Sequence, residues 1–173
     1  MSEPQCVTLP DGSKEWRVNG VLHRDDGPAK VWSDGDMEWQ RCGKLHREDG
    51  PAIITTDGSE YWYCNGELHR EGGPAVILAN GTQEWRVNGK LHREDGPALI
   101  RVDGHKEWHR NGNIHRDDGP AMEKADGGKF WFRDGELHRE DGPAVMRADG
   151  TEEYWEHYRR IIKNDQEPPS ARM

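Results

Sequence analysis

Glu84-Trp85-Arg86-Val87-Asn88-Gly89-Lys90-Leu91-His92-Arg93-Glu94-Asp95-Gly96-Pro97-Ala98 is one statement of a phrase that this chain makes six times. The Trp stands at Trp16, Trp39, Trp62, Trp85, Trp108 and Trp131, and the His at His23, His46, His69, His92, His115 and His138. A second turn pair, Asn80-Gly81 in this region, recurs from Asp11-Gly12 to Asp149-Gly150. The interval is 23 residues throughout, with nothing gained or lost. An uninterrupted period means stacked identical units, each covering its neighbour.

Within one copy, short strand-like runs flank the Asn-Gly pair, so a hairpin is expected. A two-residue turn would set Trp85 opposite His92; a three-residue loop sets it opposite Leu91. The second register gathers Trp and Leu on one face in every copy and is the one expected here. It also sets Glu84 opposite His92, with the same pairing at Glu15/His23, Glu38/His46 and Glu107/His115. Three-residue loops at the Asp-Gly pairs bring Trp85 level with Ala75 and Trp39 level with Ala29. The expected core unit is therefore an Ala–Trp–Leu row, each Trp contributing about 2–3 kcal/mol by burial. The Ala strand is apolar on both faces, as at Ile53-Ile54, Val76-Ile77 and Leu99-Ile100. Its second face requires cover, from a rolled sheet or from a second chain in a homodimer.

Only 32% of the 173 residues are apolar, the net charge is -9, and eight residues are Trp. A thin repeat array needs less core than a compact domain of this length, so the composition fits an elongated structure. The acidic balance argues against nucleic acid as a partner. Cys6, Cys42 and Cys64 follow no zinc spacing and read as reduced thiols. No run reaches transmembrane length and residues 1–10 lack a signal-peptide core, so a soluble cytoplasmic protein is expected.

The expected fold class is all-β: a repetitive antiparallel β-hairpin array of six 23-residue repeats over residues 11–150, entered through a lead-in strand at 1–10. Residues 151–163 carry apolar side chains at 154, 155, 158, 161 and 162, a helical stripe, with Thr151 placed to cap its start. A C-terminal capping α-helix is expected there, with a flexible tail at 164–173.

The period, the aromatic ahead of an Asn-Gly turn and the closing Asp-Gly resemble MORN repeats over residues 11–150. The Trp-to-Gly interval, Trp85 to Gly89, is one longer than in that family, and the Leu-His-Arg-Glu-Asp-Gly-Pro-Ala box replaces its Gly-x-Gly. The chain is similar to variants associated with bacterial, phage and large-virus proteins. The resemblance implies a non-enzymatic scaffold or binding array; such arrays have been linked to membrane lipids and to dimerisation.

The His-Arg-acid-Asp box admits three chemistries. One His per copy is too few for a zinc site, which takes three or four protein ligands. A His–acid pair can act as a general base, but six identical sites without a unique nucleophile make an odd enzyme. The remaining reading is structural: the Asp holds the Gly-Pro turn, the Arg pairs with carboxylates, and the His bonds across to Glu. His105 and His109 are extra, in the fifth copy only, and stand close in sequence to His115. No catalytic residue, cofactor or metal ligand is expected.

Specificity should lie where the copies differ. The position after each Trp reads Arg17, Gln40, Tyr63, Arg86, His109 and Phe132, and a second column reads Trp32, Thr55, Leu78, Arg101, Lys124 and Arg147. Aromatic and arginine side chains suit an interface. The expected function is a non-catalytic array that binds a protein partner, as an adaptor or an inhibitor; the resemblance to MORN variants implies a phage-type host-interaction protein among these. The alternative is a sequestering protein that holds a small anionic ligand or nucleotide between repeats.

Overall fold

The turn at Asn88-Gly89 decides how each hairpin is built. In the computed structural model, which describes residues 3–162, both residues are left-handed, with φ 49° and 74°. Two consecutive residues of that hand make a two-residue turn whose twist matches the strands it joins. Arg86 accordingly faces Leu91 and Val87 faces Lys90, while the His92 N–H donates to the Trp85 carbonyl at 3.0 Å. The three-residue loop expected here, with Trp opposite Leu, is corrected. The same register recurs at Gln40↔Leu45, Tyr63↔Leu68, His109↔Ile114 and Phe132↔Leu137. Asn, Cys and Asp at the first turn position all take the left-handed conformation, from Asn19 to Asp134.

The Asp-Gly turns do carry three-residue loops. The Leu78 N–H donates to the Thr82 carbonyl at 2.9 Å and the Gly81 N–H to the Leu78 carbonyl at 2.8 Å, with Gly81 at φ 88°. The Asn80 side chain holds this loop by accepting the Thr82 N–H at 2.9 Å. The loop sets Ile77 against Gln83 and Val76 against Glu84, so Ala75, one step further, is level with Trp85. On its other side the Ala75 carbonyl accepts the Trp62 N–H at 2.8 Å. Ala29, Ala52, Ala75, Ala98 and Ala121 thus each lie between two Trp along the sheet, Ala144 lies between Trp131 and Tyr154, and all six are 0% exposed. The Ala–Trp half of the expected row stands. Leu does not complete it, because the chain bends at Trp85 between Gln83–Glu84, in the sheet, and Arg86–Val87, in the hairpin.

The described residues form an all-β structure around one 16-stranded antiparallel sheet, to which each copy gives its Ala strand and the strand before its Trp. The hairpins from the second copy to the sixth stand off this sheet as separate two-stranded units. Successive hairpins are nevertheless tied: the Gly89 N–H donates to the Leu68 carbonyl at 2.9 Å and the Arg70 N–H to the Arg86 carbonyl at 3.2 Å. The sheet face opposite the Ala–Trp row buries Val76, Leu99 and Val145. Among the described residues no helix is long and apolar enough to cross a membrane.

The ends follow the same logic. Gln5–Thr8 is a strand and sets Cys6 opposite Trp16. The capping helix expected at 151–163 is corrected over its described part: Glu152–Glu156 and Arg159–Ile161 are strands joined at His157-Tyr158, both left-handed. Tyr154 lies 23 residues after Trp131, so this is a seventh hairpin that has lost its box. The preceding strand templates it through Val145↔Glu153, and the Arg139 N–H donates to the Trp155 carbonyl at 3.3 Å. Its Tyr158 hydroxyl donates to the Gly135 carbonyl at 2.7 Å. Lys163 and the tail expected at 164–173 lie outside the described residues.

Candidate functional site

Each residue of the box has a task that the structure makes explicit. The imidazole staples one copy to the next: Nδ1 of His23, His46, His69, His92 and His115 accepts the backbone N–H of the first turn residue in the following copy, at 2.9–3.2 Å. Nε2 faces the acid two residues on, as in His115 with Asp117 at 3.1 Å and His23 with Asp25 at 3.4 Å. Accepting at Nδ1 fits the neutral ring with its proton on Nε2. The His–Glu pairs expected across the hairpin, from Glu15/His23 to Glu107/His115, are replaced by these contacts. At the end of the series His138 Nδ1 has no partner among the described residues, and its ring lies against that of His157 at 4.7 Å.

The arginine is held on three sides. Arg24, Arg47, Arg70, Arg93, Arg116 and Arg139 lie 3.9–4.4 Å over the rings of Trp16, Trp39, Trp62, Trp85, Trp108 and Trp131. Such a contact contributes about 0.5–2 kcal/mol. In four boxes Nε donates to the Asp two residues on, at 2.7–2.9 Å, and in all six Nη1 donates to the Pro carbonyl at 3.1–3.4 Å. The Gly before each Pro is needed for closeness: a Cβ at Gly96 would lie 3.0 Å from the Arg93 guanidinium carbon. Bonding to arginine holds Asp26, Asp49, Asp95 and Asp118 below the usual carboxylate range. Between successive boxes lie open clefts, of about 450 Å³ around Trp39 and about 580 Å³ around Trp108. Among the described residues no three His, Cys, Asp or Glu side chains stand together as metal ligands.

Both variable columns lie on the sheet face opposite the Ala–Trp row, on either side of a central line that includes Glu38, Val76, Glu84, Leu99 and Glu107. The column after the Trp is not free. Arg17 donates to Glu15 at 2.6 Å, Gln40 to Glu38 at 2.8 Å and Arg86 to Glu84 at 2.7 Å, each reaching back two residues. Tyr63 and Phe132 are half-buried, and burial raises the Tyr63 hydroxyl above its ordinary range. The second column is more open: Trp32, Arg101 and Arg147 are exposed. Trp32 Nε1 donates to Glu38 at 3.1 Å, and Arg147 is paired with Glu153. His105 and His109 do converge, on Glu107 at 2.7 and 2.8 Å, whereas His115 turns to Asp117 and Asp134.

These clasps were missed in the sequence although a signal for them exists. The residues flanking each Trp change together: Glu15/Arg17, Glu38/Gln40, Glu84/Arg86 and Glu107/His109, but Tyr61/Tyr63 and Phe130/Phe132. A carboxylate before the Trp meets a hydrogen-bonding side chain after it, and an aromatic meets an aromatic.

Glu107 gives this clasp a pH signature. Bonding to His109, and then to His105, overcomes the cost of burial and takes the carboxyl from the ordinary 4.5 to about 2. A carboxyl depressed by folding stabilises the fold above its unfolded pKa, and that stabilisation is lost as pH falls through the folded value. Glu107→Gln should therefore flatten the loss of stability between pH 4.5 and 2 by about 1–2 kcal/mol, allowing for solvent screening. Urea denaturation across that window measures it; an unchanged slope would remove the clasp.

No protein-family model matches the chain, and no curated protein matches it.

Proposed function

We propose that the protein is a non-catalytic repeat module that binds a protein partner, as an adaptor or inhibitor, in the manner implied by its likeness to MORN repeats. One observation carries the reading. The groups with the chemistry for catalysis are spent on the frame: five of the six box imidazoles make the same bond to the next copy. What differs between copies is one sheet face, where neutral, aromatic and cationic side chains alternate around a part-buried centre. Varied chemistry on a rigid periodic frame is how repeat arrays discriminate partners.

The rival reading, sequestration of a small anion or nucleotide between repeats, has carboxylates against it. The cleft around Trp39 is walled by Asp25, Asp26, Glu48 and Asp49 together with its arginines.

Because the column after the Trp is tied to the frame, the test uses the open column. Trp32→Ala combined with Arg101→Ala is expected to leave the circular dichroism melt within a few degrees of the parent. It should abolish capture of the protein that the parent retrieves from its source cells. Undiminished capture by the double variant, or a nucleotide that raises the melting temperature while no protein is retrieved, would reject the reading.

A further inference from the structure

The third box breaks the frame at one residue, in side chain and in backbone. Where the other boxes read Asp26, Asp49, Asp95, Asp118 and Asp141, this one reads Gly72. In four of those boxes the Asp accepts the arginine Nε–H at 2.7–2.9 Å. Those four carboxylates are 82–84% exposed, so the position is reached directly from solvent. In the third box the arginine remains in place: Arg70 lies 3.9 Å over Trp62, and its Nη1 donates to the Pro74 carbonyl at 3.1 Å. A Cβ on Gly73 would lie 3.1 Å from its guanidinium carbon, so the group is sandwiched as in the other boxes. Its Nε–H has no partner among the described residues. Gly72 takes φ +76°, a left-handed conformation that none of the corresponding Asp residues adopts, and no atom lies within 4 Å of the Cβ direction it leaves open.

We propose that the third box is a carboxylate-binding site, in which Arg70 Nε–H receives an aspartate or glutamate side chain of the protein partner in the position that Asp26, Asp49, Asp95 and Asp118 occupy in their own boxes. The chain itself shows the ligand class four times over. A guanidinium locked between an indole ring and a glycine loses little freedom when it binds, and a charge-assisted bond to carboxylate is among the stronger hydrogen bonds. The same copy carries Tyr61 and Tyr63 in place of the Glu pattern around the Trp, an aromatic replacement it shares with Phe130 and Phe132 of the sixth copy. The source of the carboxylate rests on the protein-binding reading; the site does not.

The full chain, labelled with nitrogen-15, is titrated with sodium acetate and separately with aspartate capped at both ends, while the Nε–Hε signals of Arg70 and Arg93 are followed. The expected result is a saturable downfield shift at Arg70 with both probes and none at Arg93, whose position Asp95 fills. Gly72→Asp should move the Arg70 signal to the Arg93 position without ligand and weaken the apparent acetate affinity at least tenfold. No saturation at Arg70, equal shifts at both arginines, or an unchanged response in G72D would overturn the site. Saturation by acetate but not by capped aspartate would overturn the partner side chain as its occupant. Failure to retrieve a partner protein leaves this titration untouched, so the two readings fail separately.

Discussion

Trp85→Ala is expected to cost the array about 3 kcal/mol, the low end for loss of a large aromatic because the ring is half-buried. The ring does three things at once. It stands level with Ala75 along the sheet, it carries Arg93 at 4.1 Å, and it marks the bend between sheet and hairpin. Its removal leaves the Arg93 guanidinium without its aromatic face, although the bonds to Asp95 and the Pro97 carbonyl survive. Arg86→Ala, next in sequence, removes the bond to Glu84 and should cost about 1 kcal/mol. Because stability in a repeat array is a sum of local terms, the Trp85 variant should also lose protection first in the fourth copy. Chemical denaturation with hydrogen exchange reads both effects; equal shifts for Trp85 and Arg86 would mean that the ring is not part of the core.

Ala75→Leu is expected to cost about 2–3 kcal/mol, from overpacking. Ala75 is 0% exposed and lies between the Trp62 and Trp85 positions, its backbone bonded on both sides at 2.8 Å. Three added carbons have no room unless both neighbouring copies shift, and the two ladders of bonds resist that. Ala79→Leu, in an exposed loop of the same copy, should change stability by less than about 0.5 kcal/mol. Thermal melts of the pair give the comparison. A parent-like melt for Ala75→Leu would show that Ala recurs for some reason other than packing.

The two turns show where sequence reasoning reached and where it stopped. The three-residue loop at Asn80-Gly81 followed from local chemistry, and the structure has it. At Asn88-Gly89 the dipeptide by itself favours a two-residue turn. A shared Trp–Leu row favours the three-residue register instead, and the bend at Trp85 that defeats it leaves no trace in a linear pattern. With the register went the Glu–His pairs. Tyr154 falls on a helical stripe of apolar residues, yet it also continues the 23-residue series of Trp16 to Trp131. In the candidate site, the paired changes at Glu84/Arg86 and Tyr61/Tyr63 were legible but unused. The open position beside Arg70 was legible only as a missing Asp.

Residue types alone fix everything that acts within a few residues: the 23-residue period, the kinds of turn residue, the small Ala slot and the β class of the array. These depend on backbone sterics and local hydrogen bonding, which the residue types carry with them. Which atoms meet between copies is set by the packing of one copy on the next. His69 Nδ1 finds the N–H of Asn88, 19 residues away, and Arg70 lies flat on Trp62 with a glycine behind it. Residues 152–161 become a seventh hairpin because the strand before them offers an edge to pair with. Such contacts exist only once neighbouring copies are stacked, and the free energy that selects them is shared between units rather than written in any one of them.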